Sequence, residues 1–96
     1  MQILQVTIAG TNTPQRIIPL SQGGIANAIF FQNVVFQNNS GHNMRLGDST
    51  VSSTKGILLN SGGSETVALA MTYSGTLNEW WVNGTAADLL DILYIP

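Results

Sequence analysis

Residues 28–37 read AIFFQNVVFQ, and the alternation of apolar side chains in this run decides between helix and strand. Phe30, Val34 and Phe36 fall with Gln32 on one parity, while Ile29, Phe31 and Val35 fall on the other. A period of two sends successive side chains to opposite faces of an extended chain, whereas a helix needs apolar residues three and four apart. The β-branched and aromatic residues suit a pleated surface. Both faces are largely apolar, so one covers the core and the second needs a cover of its own, either a loop or another copy of the chain.

The same period recurs on both sides of this run. Residues 2–9, QILQVTIA, put Leu4, Val6 and Ile8 on one face, with Ile3, Gln5 and Thr7 on the other. QRIIPL at 15–20 is a short strand, and its Pro19 places it at an edge or a strand end. MRL at 44–46, GILL at 56–59, ETVALAMTY at 65–73 and LNEWWV at 77–82 follow, with Val67, Leu69, Met71 and Tyr73 forming the core face of the middle segment. In LLDILYI at 89–95, Leu90, Ile92 and Tyr94 alternate with Leu89, Asp91, Leu93 and Ile95. GTNTP, SQGG, NNSGHN and NSGG separate these runs, with Gly and Asn supplying the turn dihedrals. TAADLL at 85–90 has a capping spacing from Thr85 to Asp88, but its strand-forming neighbours favour a turn. The expected fold is all-β: a single small jelly-roll-like β-sandwich spanning residues 1–96, with about seven to eight short antiparallel strands.

Composition narrows the partners. The 96 residues hold three basic and five acidic side chains, a net charge of −2, and only 8% are charged while 44% are hydrophobic. An average soluble domain carries about 25% charge, so this surface is expected to be rich in Asn, Ser, Thr and Gln and partly covered by neighbouring subunits. Arg16, Arg45 and Lys55 are too few to track a phosphate backbone, which excludes nucleic acid as an expected direct partner. The start MQILQVTIAG lacks a basic segment before a long apolar run, and neither a signal peptide nor a membrane span is expected. Cysteine is absent, so disulfides and thiolate metal sites cannot reinforce the fold.

Catalytic chemistry has little to draw on. His42 is the sole imidazole and sits in a turn beside Gly41, where a solvated histidine is the simple expectation. A Ser/His/Asp set could be drawn from His42, Asp48 and several serines, but there is no nucleophile elbow. Glu65, Glu79, Asp48, Asp88 and Asp91 are carboxylates whose mutual spacing the sequence leaves open. One His and no Cys make no zinc set, and Asp48 with nearby hydroxyls is the only calcium candidate, without the EF-hand spacing. The expectation is a non-enzymatic protein with no cofactor.

In NMRLGDSTVSSTKG at 43–56 the apolar residues are sparse. Gly47 permits a turn after MRL, and the Asp48 carboxylate can accept backbone N–H groups from the residues that follow. Gly47, Asp48, Ser49, Ser52 and Gly56 are therefore read as the residues that order this loop. The pair Trp80-Trp81 presents opposite faces in a strand. Trp81 is read as the core anchor and Trp80 as a partner contact; an outward indole stacking on a sugar ring is the rival use.

Two stretches, NNSGHNMRLGDSTVSSTKGILLNSGG and LNEWWVNGTAADLLDILYI, resemble a small β-domain found in virion structural proteins of tailed bacteriophages. Asn39, Ser40 and Gly41 match its turn; Gly47, Asp48, Ser49, Val51, Ser52 and Gly56 match its loop. Leu77, Trp81 and Val82 match its late segment, and Leu93, Tyr94 and Ile95 its final strand. The resemblance extends back through VTIAGTNTPQRI and FFQNVVFQNNS. It implies a virion localisation as a decoration, spike or fibre component, and a chain that is the domain alone favours a decorating or capping subunit. VALAMTY is more apolar than the corresponding segment of such domains.

Together these readings give a structural protein that associates with itself, with trimers and pentamers both fitting, and with other virion proteins. Ile29, Phe31, Val35, Trp80, Leu89, Leu93 and Ile95 are the expected contacts. The alternative is a carbohydrate-binding module that uses an exposed Trp on a β-sandwich.

Overall fold

A computed structural model describes residues 2–18, 29–68 and 75–96, with the side chains of 65–68 not described. Pro19, the SQGG turn and Leu69, Met71 and Tyr73 of VALAMTY lie outside the described residues, as does the Val67 side chain. The described residues form ten short strands: β1 Gln2–Thr7, β2 Gln15–Arg16, β3 Phe30–Phe31, β4 Asn33–Asn39, β5 Met44–Gly47, β6 Ile57–Leu59, β7 Ser64–Ala68, β8 Gly75–Thr76, β9 Trp81–Asn83 and β10 Leu89–Ile95. One turn of 3₁₀ helix, Leu77–Glu79, precedes β9, and TAADLL forms no helix.

Every ladder is antiparallel, and the pairing is nested. The first strand pairs with the last, β2 with β9, β3 with β8, β4 with β7, and β5 with β6. The chain is thus one long folded-back ribbon whose tip is the β5–β6 connection. Rolling the ribbon adds two further ladders, β10 with β4 and β5 with β9. Three sheets result, ordered β1-β10-β4-β7, β2-β9-β5-β6 and β3-β8.

Register then sorts the side chains. In the first sheet Leu4, Ile92 and Phe36 stand opposite one another across three strands, and Val6, Leu90 and Asn38 form the next row. These rows face the core, where Phe36, Leu90 and Ile92 are fully enclosed. The second sheet contributes Met44, Leu46, Leu59 and Val82, and Ile8, Ile17, Phe31 and Leu77 complete the cluster. Burying each such side chain is worth about 1.5–3 kcal/mol, and this cluster supplies most of the fold's driving force.

Asn38 is a fully buried polar side chain beside this cluster, and its bonds explain its place. Its Nδ2 donates to the carbonyls of His42 (2.6 Å) and Leu59 (3.1 Å), while its Oδ1 accepts from the Ser40 hydroxyl at 2.6 Å. A buried amide with both ends satisfied costs little and fixes the NNSGHN turn against β6.

The run at 28–37 is not one strand. Gln32 is a bend between β3 and β4, and its backbone N–H donates to the Ile95 carbonyl at 2.8 Å. The bend shifts the parity by one, so Phe31 and Val34, three apart, both point inward. Phe31 is 1% exposed and belongs to the core, correcting its reading as an outward contact, while Phe30 is 55% exposed.

Candidate functional site

The outward face of the β1-β10-β4-β7 sheet holds the largest set of expected contacts. Ile3, Leu93 and Val35 stand opposite one another across β1, β10 and β4 and form an apolar row. Ile3 is 74% exposed and Ile95, at the end of β10, is 45% exposed. Leu93 and Val35 are half-buried by their neighbours in the row, and Leu89 is half-buried one row beyond the polar one. Ile29 lies off this face and packs partly buried against the core.

Beside the apolar row runs a polar one, Gln5–Asp91–Gln37. Asp91 is its one charged residue, and both carboxylate oxygens are engaged: Oδ1 accepts from Gln5 Nε2 at 2.8 Å and Oδ2 from Asn39 Nδ2 at 3.1 Å. With those bonds made on the sheet itself, the face offers its neighbours apolar side chains and neutral amides. β1 also forms the sheet edge, and QILQVT carries neither charge nor proline. Edge strands are commonly blunted by one or the other.

The tryptophans exchange the roles expected of them. Val82 is fully buried, so Trp81, its strand neighbour, faces outward, with the Arg16 guanidinium 4.7 Å from its ring centroid. Arg16 is the cross-strand partner of Trp81 in the β2–β9 ladder, which places the cation over the indole. Trp80 packs against the core instead, its ring centroid 4.9 Å from that of Phe36 at an interplanar angle of 39°. Trp80 is therefore the inner ring and Trp81 the outer one. A sugar stacking on the outer indole would have to compete with Arg16.

The loop at 47–56 is held largely by its own polar groups. Asp48 Oδ1 accepts the Thr50 backbone N–H at 2.8 Å and the Thr50 hydroxyl at 2.5 Å. These bonds, with Lys55 nearby, hold the Asp48 carboxyl below its ordinary pKa of 3.8. Ser52 Oγ accepts the Thr54 N–H at 3.2 Å, and Lys55 Nζ donates to the Thr50 hydroxyl at 2.7 Å. Arg45 reaches in from β5, donating to the carbonyls of Ser53 (3.0 Å) and Gly56 (2.9 Å). Val51 folds back beside Gly47 and is buried. Ser49 is exposed and makes none of these bonds.

His42 Nδ1 lies 2.8 Å from Asp88 Oδ2, linking the turn after β4 to the turn before β10. Its carboxylate partner is thus Asp88 and not Asp48, and the Ser40 hydroxyl donates to the backbone carbonyl of His42, not to its ring. Among the described residues no group of three or more His, Cys, Asp or Glu is placed to hold a metal ion. Among them, too, no helix is long and apolar enough to cross a membrane. No family model, curated protein or solved structure matches this chain.

Proposed function

We propose that this chain is a non-enzymatic structural subunit that associates with copies of itself and with other virion proteins, decorating or capping a bacteriophage capsid, spike or tail. The observation that carries the proposal is the apolar row Ile3–Leu93–Val35 on the outward face of the sheet, beside a polar row whose carboxylate, Asp91, is already satisfied. Covering several hundred Å² of such surface is worth on the order of 10 kcal/mol in gross transfer terms, before the cost of association is deducted. For a small domain without disulfides that contribution is comparable to its whole stability.

The strand order supports a jelly-roll reading. With the short β3–β8 ladder set aside, the eight other strands counted in chain order run 1-8-3-6 in one sheet and 2-7-4-5 in the other. That is the strand order expected of a ribbon rolled into two facing sheets, the double-sheet arrangement used by capsid and lectin domains. The analogy with capsids is one of architecture, and the role rests on the surface.

The unprotected edge of β1 offers the most direct route to assembly. Pairing β1 with β1 of a second copy continues the sheet across the junction and joins the two apolar rows. Lysine at both Ile3 and Gln5 puts two charges on the outward face of that strand without touching the core. Light scattering after size exclusion at tens of micromolar should show the unaltered chain as an oligomer and this double variant shifted toward the monomer. An oligomer unaffected by the two lysines would move the interface elsewhere and remove this face from the proposal.

A further inference from the structure

A second site lies on the other sheet, at the end where β5 begins and β9 ends. A cleft of about 310 Å³ opens there, lined chiefly by Asn12, Asn43, Arg45, Ser53, Asn83 and Thr85. Arg45 and Asn83 are direct cross-strand partners at its base. Asn83 is buried, and its Nδ2 donates to Asn12 Oδ1 at 3.0 Å, yet its enclosed Oδ1 finds no hydrogen-bond partner among the described residues. A buried acceptor left unsatisfied costs free energy that a donor entering the cleft would recover.

Charge narrows what that donor belongs to. Among the described residues Arg45 is the only charged side chain lining the cleft, and no carboxylate of theirs faces it there. Its Nε and Nη1 are spent on the carbonyls of Ser53 and Gly56, while its Nη2 carries no hydrogen bond among the described residues. Among the described residues no aromatic ring lines the cleft, so they give a flat stacked ligand such as a nucleobase no platform. The other polar side chains of the lining are amides and hydroxyls, able to donate and accept, and Met44 and Leu58 add apolar surface beside them. Asn12 holds its loop over the cleft in a left-handed conformation, φ 53°.

From this lining we infer a binding site for a compact hydroxylated carboxylate of monosaccharide size, a sugar acid being the chemical class. Its carboxylate pairs with the free edge of the Arg45 guanidinium, and one hydroxyl donates to Asn83 Oδ1 as the rim loop carrying Asn12 gives way. The site is independent of the association face, which lies on the other four-stranded sheet.

Titration of the ¹⁵N-labelled protein with sodium D-glucuronate, D-glucose and sodium acetate tests this. Glucuronate should give saturable shifts of the Asn83 side-chain amide and the Arg45 Nε–H, with glucose and acetate each binding at least about tenfold more weakly. Asn83→Leu should weaken glucuronate binding by about tenfold, and Thr85→Val, a change at the rim, supplies a second variant should Asn83→Leu fail to fold. Saturation by acetate as tight as by glucuronate would reduce the site to a simple anion contact and overturn the inference. So would equal binding of glucose, no saturable shift with glucuronate, or glucuronate binding unchanged in both variants.

Discussion

Ile3 stands directly opposite Leu93 on the outward face of the sheet, and Leu93 in turn stands opposite Val35, so three strands carry one unbroken apolar row away from the core. One residue earlier in β10, Ile92 points the other way and is fully buried. Substitution at adjacent positions should therefore separate two kinds of stability. Ile92→Ala should cost about 2–5 kcal/mol in urea unfolding at any protein concentration. Leu93→Ala should cost less than about 1.5 kcal/mol in dilute protein, with its effect growing as concentration rises. Equal, concentration-independent losses would show that Leu93 acts only within its own subunit.

The inner and outer tryptophans should also part company. Trp80 packs on Phe36, and Trp80→Ala should cost about 3 kcal/mol or more through lost burial. Trp81→Ala removes an outward ring and its contact with Arg16, where the cation–π term is about 0.5–1 kcal/mol, so the loss should be smaller. Thermal or urea unfolding of the two variants would check the order, and a larger loss for Trp81 would reverse the assignment.

Asp48 makes a pH-dependent prediction. Its carboxyl is held below the ordinary value of 3.8 first by the Thr50 hydroxyl and then by the Thr50 backbone N–H. A depressed folded-state pKa means the bonds stabilise the loop above the unfolded pKa and are lost as pH falls through the folded one. The Thr50 amide proton resonance should therefore titrate with a midpoint under 3.8. A midpoint at or above that value would mean the carboxylate does not hold this turn.

Backbone conformation at three small residues gives opposite signs. Gly56 has φ +125°, and a Cβ there would stand 2.6 Å from the Leu46 carbonyl oxygen and 2.8 Å from Val51 Cγ2. Gly56→Ala should cost at least about 2 kcal/mol. Gly62, at φ +73° with open space around it, should lose only about 1 kcal/mol on the same change. Ala87 already occupies the left-handed region at φ 73°, so Ala87→Gly should stabilise by up to about 1 kcal/mol. Urea midpoints of the three variants give the comparison directly.

Strand alternation was legible wherever a strand is regular. The parities of 2–7, 33–39 and 89–95 follow from period two alone, and so does the separation of Ile92 from Leu93. Phe31 was misplaced because nothing in IFFQNV announces a bend at Gln32; the bend is fixed by a hydrogen bond to Ile95, sixty-odd residues away. Trp81 was misplaced because period two says only that the two indoles face opposite ways and the resemblance chose between them, whereas Val82 occupies the inward position of β9 and Trp80 meets Phe36 from the preceding turn. The Asp48 turn was readable because its bonds are local, two residues apart in sequence. The pairing of Arg45 with Asn83 was not, since it depends on how the ribbon rolls.

The covering of the outward Ile3–Leu93–Val35 row by sister subunits is tested most directly by the molar mass of the unaltered chain in solution. Multi-angle light scattering from micromolar to hundreds of micromolar should give a whole-number multiple of the monomer mass that persists on dilution to the low micromolar range. Monomer mass throughout that range would contradict self-association and leave the apolar face without the cover proposed for it.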